Sequence, residues 1–325
     1  MFQDHPGLLD AIRDRFAHVD TCPVQGPRVF FENAGGALTL KSVVDVSNKY
    51  AGIPDNQGRD NTMSAELVRV IAKAKDDAKL FLNASSGQVF VGESGTELLF
   101  RMISNAILES EAGGNVVGTT LEHPASRSAC VRWAKVAGKE YLPVAHDDET
   151  GSVEAADYAK VVTPETRVAT IIHTSPVTGM GVDVGAIAKV IRDISPDCYI
   201  IIDGIQHAAH GGLDIDAYNV DGYAISPYKV FSRHGYGIAW ISDRLTELPH
   251  DSLIDGPEGN WELGTRDTGS YATFSEVVNY FEWVGEHFAP DGTRREKIEA
   301  AGRAIHAHEQ SLTNAMLNGT GNLKG

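Results

Sequence analysis

An acid, a lysine, an imidazole and a glycine-centred hydroxyl turn each stand directly behind an apolar run in this chain. In Ile202-Asp203-Gly-Ile-Gln206-His a carboxylate follows a β-branched run. In Asp221-Gly-Tyr-Ala-Ile-Ser226-Pro-Tyr228-Lys229 a lysine follows another, 26 residues after Asp203. Glu93-Ser94-Gly95-Thr96-Glu97 follows a third and opens a helical pattern, and Leu121-Glu-His123 follows a fourth. Singly, each has an ordinary reading. Asp203 can cap a turn, Lys229 can be a solvated surface lysine, Ser94 can be a plain helix N-cap and His123 a satisfied histidine.

The elements that must position these groups alternate. Strand candidates are Gln88–Gly92, Asn115–Thr120, Lys139–Val144, Arg167–His173, Cys198–Asp203, Val220–Ile225 and Gly237–Ser242. Their nearly continuous apolar character suits strands covered on both faces. Helical patterns fall at Ala65–Leu82, Thr96–Leu108, Pro124–Val136, Val184–Ile194 and Ser275–Glu286, and a charged one runs from Arg294 to about Met316. Strands alternating with helices predict a mostly parallel seven-stranded sheet in a three-layer αβα sandwich. In such sheets ligands bind outside the carboxyl ends of the strands, where the four motifs fall.

Taken together, the motifs meet one chemical demand. A lysine that forms a Schiff base, a carboxylate that keeps a pyridine nitrogen protonated, and helix-end amides aimed at a phosphate are what pyridoxal phosphate requires. The chain resembles the class V aminotransferase and cysteine desulfurase family of fold-type I pyridoxal-phosphate enzymes, in a desulfurase-like branch. The resemblance runs from Phe30-Phe-Glu-Asn-Ala-Gly-Gly36 to Glu262-Leu-Gly-Thr265, and the Asp203-to-Lys229 spacing carries it most specifically.

The resemblance implies roles. Lys229 carries the Schiff base and shuttles the proton at Cα. Asp203 pairs with the pyridine nitrogen, Gln206 bonds the ring hydroxyl, and His123 stacks on the ring. Ser94, Gly95 and Thr96 hold the phosphate, with Ser226 adding a hydroxyl. Thr265 corresponds to a threonine that reaches the phosphate of the neighbouring subunit, which implies a homodimer. The implied activity is cysteine desulfurase or C–S lyase-like chemistry on a small amino acid. Class V transamination, epimerisation and a catalytically inactive cofactor-binding scaffold are the alternatives.

Several positions depart from the family pattern. Tyr228 stands where desulfurases have a histidine, and a phenol is a poorer base and a better donor than imidazole. It is counted with Lys229 and His123 among the catalytic candidates. Pro176 replaces an asparagine that touches the ring hydroxyl in many members. Neither Cys130, within a helix, nor Cys198, at a strand start, suits the desulfurase nucleophile, and Cys22 is no better placed. Arg59 and Arg127 are read as surface residues rather than substitute carboxylate contacts. The chain stops where the family builds a small domain. The expected division is therefore an N-terminal segment (1–29), a cofactor-binding large domain (30–290) and an incomplete small domain (291–325).

Composition narrows the partners. With 325 residues, 42% hydrophobic and 22% charged, the chain reads as an ordinary globular protein. Its 28 basic and 44 acidic residues give a net charge of −16, which disfavours nucleic acid and anionic membrane. No signal-like start and no membrane-length apolar run are seen, so a cytoplasmic location is expected. The sequons at Asn83 and Asn318 are then fortuitous. His207 and His210 are read as belonging to the Asp203 motif, and no metal site is assigned.

Overall fold

The apolar runs form one sheet because they are rich in Val and Ile and nearly free of charge, so both faces can be buried. The computed structural model describes residues 2–319, so the Gly/Asn-rich end from 320 onward, with Thr320 of the second sequon, lies outside the described residues. The strands are β1 (Gln88–Gly92), β2 (Asn115–Thr119), β3 (Glu140–Val144), β4 (Thr166–Ile172), β5 (Tyr199–Asp203), β6 (Gly222–Ile225) and β7 (Gly237–Ile241). Across the sheet they run β1-β7-β6-β5-β4-β2-β3. β7 is antiparallel to both neighbours and the remaining pairings are parallel. The carboxyl ends of all strands except β7 therefore share one edge.

The longer helices are α1 (Lys41–Ala51), α2 (Thr62–Leu82), α3 (Gly95–Glu109), α4 (Pro124–Val136), α5 (Val184–Ile194), α6 (Thr268–Glu286) and α7 (Arg294–Asn318). Period-two alternation sends strand side chains to two cores. Phe90, Val116, Val168, Ile201 and Ala224 pack with α3 and α4. Val89, Val117, Ala169, Ile200 and Ile202 pack in the opposite layer with α2, α5, α6 and α7. The predicted three-layer sandwich is thus present.

Two helices begin earlier than their apolar periodicity suggests, because capping side chains set the start. Asn61 accepts the Ser64 amide at 2.8 Å and opens α2 at Thr62. Asp267 accepts the Gly269 amide at 2.9 Å and opens α6 at Thr268, seven residues ahead of the expected Ser275. α1 escaped the sequence reading because Ser42, Ser47 and Asn48 weaken its pattern. The first turns of α7 bury Ile298, Ala301 and Ile305 in the main core, whereas residues 310–319 are exposed. Arg294 anchors that helix by binding Asp77 of α2 together with Glu282 at 2.7 Å and Asn279 at 2.9 Å on α6. Among the described residues no helix is long and apolar enough to cross a membrane.

Candidate active site

The carboxyl edge closes around a narrow cavity lined by Thr96, His123, Asp203, Gln206, Ser226, Tyr228 and Lys229, with Ile172, Pro176 and Ile205. Parallel pairing accounts for the convergence. Asp203 ends β5 in register with Ile172 of β4 and Ala224 of β6, so residues leaving three adjacent strands meet there. After β6 the chain turns through a single 3-10 turn, Pro227–Lys229, which brings the half-buried Lys229 over the same edge.

The other end of the cavity is the start of α3. Ser94 caps that helix by accepting the Glu97 amide at 3.1 Å, while the Gly95 and Thr96 amides ahead of it have no helical carbonyl to donate to. Gly95 permits a close approach, because a Cβ there would fall 2.4 Å from the Ser226 hydroxyl. Gly237 does the same from β7, where a Cβ would lie 2.4 Å from the Ser94 carbonyl carbon. Two missing side chains therefore let the helix start and the Ser226 hydroxyl form a cradle suited to an anion. Ser94 spends its hydroxyl on the cap, while Thr96 and Ser226 face the cavity.

Asp203 is 3% exposed, and burial raises its pKa above the usual carboxylate range. The Ile205 amide, donating at 3.1 Å, and the Ser126 hydroxyl, at 3.4 Å, work against that rise, as do His123 and Lys229. Burial lowers Lys229, with the Asp203 charge opposing, which favours a free amine. His123 Nδ1 accepts the Ala125 amide at 3.1 Å, so the neutral ring carries its proton on Nε2. Gln206 Nε2 donates to the Ala34 carbonyl at 2.9 Å, tying residues 30–36 to the cavity wall. Tyr228 stacks on His234 with ring centroids 4.2 Å apart. An acid with unspent acceptor capacity, a desolvated amine, an imidazole and an anion cradle fit pyridoxal phosphate.

Other candidates stand apart from this cavity. Thr265 is exposed and lines a different one, with Tyr50, Asn56 and Arg266. Arg59 and Arg127 are exposed. His207 stacks on His173 at 3.4 Å and its Nδ1 meets the Thr174 hydroxyl at 2.9 Å, whereas His210 pairs with Glu309 of α7 at 2.8 Å. Burial pushes the Cys198 thiol up to about 12 and that of Cys130 higher still. Cys22, in the hairpin Thr21–Pro27, differs: the Gln25 and Val24 amides, with Arg28, draw its thiol below the ordinary range. It does not line the cavity.

Two residues of this neighbourhood escaped the sequence reading. Ser126 reaches Asp203 from the first turn of α4, and Glu122 lies buried beside it. The helical position of Ser126, one turn from His123, was a usable signal. The burial of Glu122 was not visible in a turn that reads as polar.

Known proteins resemble this chain in sequence and in fold. The family described as Aminotransferase class-V matches residues 29–288. A cysteine desulfurase-like protein, ustD, of Aspergillus flavus is 30% identical over 271 residues, covering 79% of this chain and 61% of the relative. A probable cysteine desulfurase of Mycoplasma genitalium is 27% identical over 219 residues, covering 66% and 53%. A nonribosomal peptide synthetase-like enzyme, fsqF, of Aspergillus fumigatus is 29% identical over 268 residues, 78% of this chain but 18% of that one. The chain thus spans less than two thirds of each of these relatives. Among solved structures, the apo cysteine desulfurase from Thermococcus onnurineus superposes with a TM-score of 0.74 at 18% identity, covering 89% of this chain and 73% of the other. SspA in complex with cysteine gives 0.68 at 17% identity, covering 90% and 92%.

Proposed function

The chain belongs to the class V aminotransferase family, and from that premise we propose that it binds pyridoxal 5'-phosphate and acts on a small amino acid by desulfurase or C–S lyase-like chemistry. The observation that carries the reading is the convergence of Lys229, Asp203, His123, Thr96, Gln206 and Ser226 on one cavity. When bound, the cofactor supplies an electron sink for negative charge developing at a substrate Cα.

The chain's own residues supply the rest. The amides opening α3 and the hydroxyls of Thr96 and Ser226 hold the phosphate. The Asp203 carboxylate would hold the proton of the ring nitrogen, a cation that would compensate its burial. His123 would pack on the ring. The amine of Lys229 would hold the cofactor covalently and carry the substrate's Cα proton, a task eased by its lowered pKa. None of the three cysteines lines the cavity, and C–S lysis needs none, because its sulfur leaves as sulfide with pyruvate and ammonia.

In the same proposal the large domain spans 30–290, the stretch 291–325, of which 320–325 lie outside the described residues, is counted apart from it, and the working unit is a homodimer. Thr265 stands off its own cavity, free to serve a neighbour's. Leu253 and Ile254, 66% and 95% exposed in the connection leading to it, are apolar surface that a second copy would cover.

The test begins with colour. Protein mixed with pyridoxal phosphate is expected to gain a visible band, and borohydride followed by peptide mass spectrometry is expected to place the label on Lys229. No uptake would overturn the reading. Products from L-cysteine, assayed with an added thiol reductant, then fix the reaction class: sulfide with pyruvate and ammonia means C–S lysis, and alanine, with the sulfur passed to the thiol and reduced by it to sulfide, means desulfuration. Amine transfer to a keto acid would replace the proposed chemistry by transamination, and inversion at Cα by epimerisation. No product from any amino acid would leave a binding scaffold.

A further inference from the structure

Glu122 has no part in the roles above. It lies in the turn between β2 and α4, 5% exposed, and both carboxyl oxygens are shut off from water without a hydrogen-bond partner. The Thr119 backbone and the hydroxyls of Ser126 and Thr170 lie beside it without forming a well-directed bond. The titratable groups facing it are Asp203 of β5, Cys130 of α4, Tyr141 of β3 and Tyr158 of the short helix Ala155–Ala159, and none of these is a cation. An ionised carboxylate there would be uncompensated. Burial first, and the Asp203 charge second, push Glu122 up to about 8, so at neutral pH it keeps its proton.

Asp203 receives donors that Glu122 lacks, namely the Ile205 amide and the Ser126 hydroxyl. Ser126 is fully buried between the two acids and has a single proton to give. While Glu122 is protonated, its O–H can turn to the Ser126 oxygen and leave the Ser126 proton for Asp203. Once ionised, Glu122 competes for that proton and sets a like charge beside Asp203.

We propose that Glu122 is a positioning residue: it remains a neutral acid beside Asp203, keeping Asp203 the single carboxylate anion of the pocket and directing the Ser126 hydroxyl toward it. The proposal rests on the reading that Asp203 faces the ring nitrogen of pyridoxal phosphate.

Two measurements test it. In cofactor-free protein, infrared difference spectra between about pH 6 and about pH 10 are expected to show loss of a protonated-carboxyl band as Glu122 ionises, a change absent in Glu122→Gln. In protein loaded with pyridoxal phosphate, the visible band is expected to shift in one step over the same range. Glu122→Gln, which keeps the shape without the ionisation, is expected to lose that step and retain the neutral-pH spectrum. Ser126→Ala is expected to shift the neutral-pH spectrum itself. Cofactor uptake with identical titrations in wild type and Glu122→Gln would overturn the role of Glu122 alone. A carboxyl band unchanged by Glu122→Gln would do the same. Failure to take up the cofactor would overturn the parent reading, and the role with it.

Discussion

Asp203 and Asp221 are both 3% exposed and stand at opposite edges of neighbouring strands, yet their surroundings differ completely. Asp221, just before β6, accepts hydrogen bonds from Arg192 at 2.7 Å, from Arg244 at 2.7 and 3.1 Å, from the Ser242 hydroxyl at 3.0 Å and from the Ile200 amide at 2.9 Å. Asp203, at the end of β5, has one amide and one long hydroxyl contact, and the carboxyl beside it has none. Burial is equal and compensation is not. Where the fold alone uses a buried charge, this chain supplies the countercharge itself. At the carboxyl edge it leaves a deficit that a cationic ligand atom would fill.

The sharpest break in that contrast is Lys229→Ala, which is expected to remove covalent cofactor attachment entirely, read as loss of the borohydride-fixed adduct. Substituting the two aspartates then separates them. Asp221→Asn leaves Arg192 and Arg244 without their anion and is expected to cost about 3–5 kcal/mol of stability in urea denaturation, with the cofactor band of folded protein unchanged. Asp203→Asn is expected to do the reverse, holding stability while weakening cofactor affinity by about 2–3 kcal/mol. If both variants lost stability alike, Asp203 would be one more structural carboxylate.

The division between the two regions also explains what was legible beforehand. Val- and Ile-rich runs made the strands readable, and Asp203, Ser226, Lys229, Thr96 and His123 were readable because each follows a strand within a few residues. The Asp221 network was not. Arg192 and Arg244 lie 29 and 23 residues from it, and nothing local distinguishes them from solvated arginines. Cys22 was hidden for a related reason. Its environment comes from the turn amides and Arg28, whereas its residue type alone matches the inert Cys130 and Cys198.

Glu122→Gln probes the deficit through stability. Its pKa in the folded chain, about 8, lies above the ordinary 4.5. The stability it allows is therefore full below pH 4.5 and is lost as pH rises toward 8. Glu122→Gln has no such loss. Its advantage over wild type is expected to grow across that window, reach roughly 5 kcal/mol, and stay level above it, measured as urea midpoints against pH. Parallel curves for the two proteins would place Glu122 among the compensated charges, with Asp221.

Tyr228→Phe is expected to have the smallest effect. The Tyr228 ring is held by its faces, stacked at 17° on His234, with Gly36 so near that a Cβ there would lie 3.2 Å from the ring. Those contacts need the aromatic ring and not its hydroxyl. Phenylalanine keeps them, so stability is expected to fall by less than about 1 kcal/mol and cofactor affinity to stay within about threefold. Tyr228→Ala, which removes the stacked ring beside Lys229, is expected to cost more in both. A loss of turnover beyond tenfold in Tyr228→Phe, with cofactor affinity intact, would show the hydroxyl acting on substrate. Tyr228 would then join Lys229 among the groups that carry protons rather than those that shape the wall.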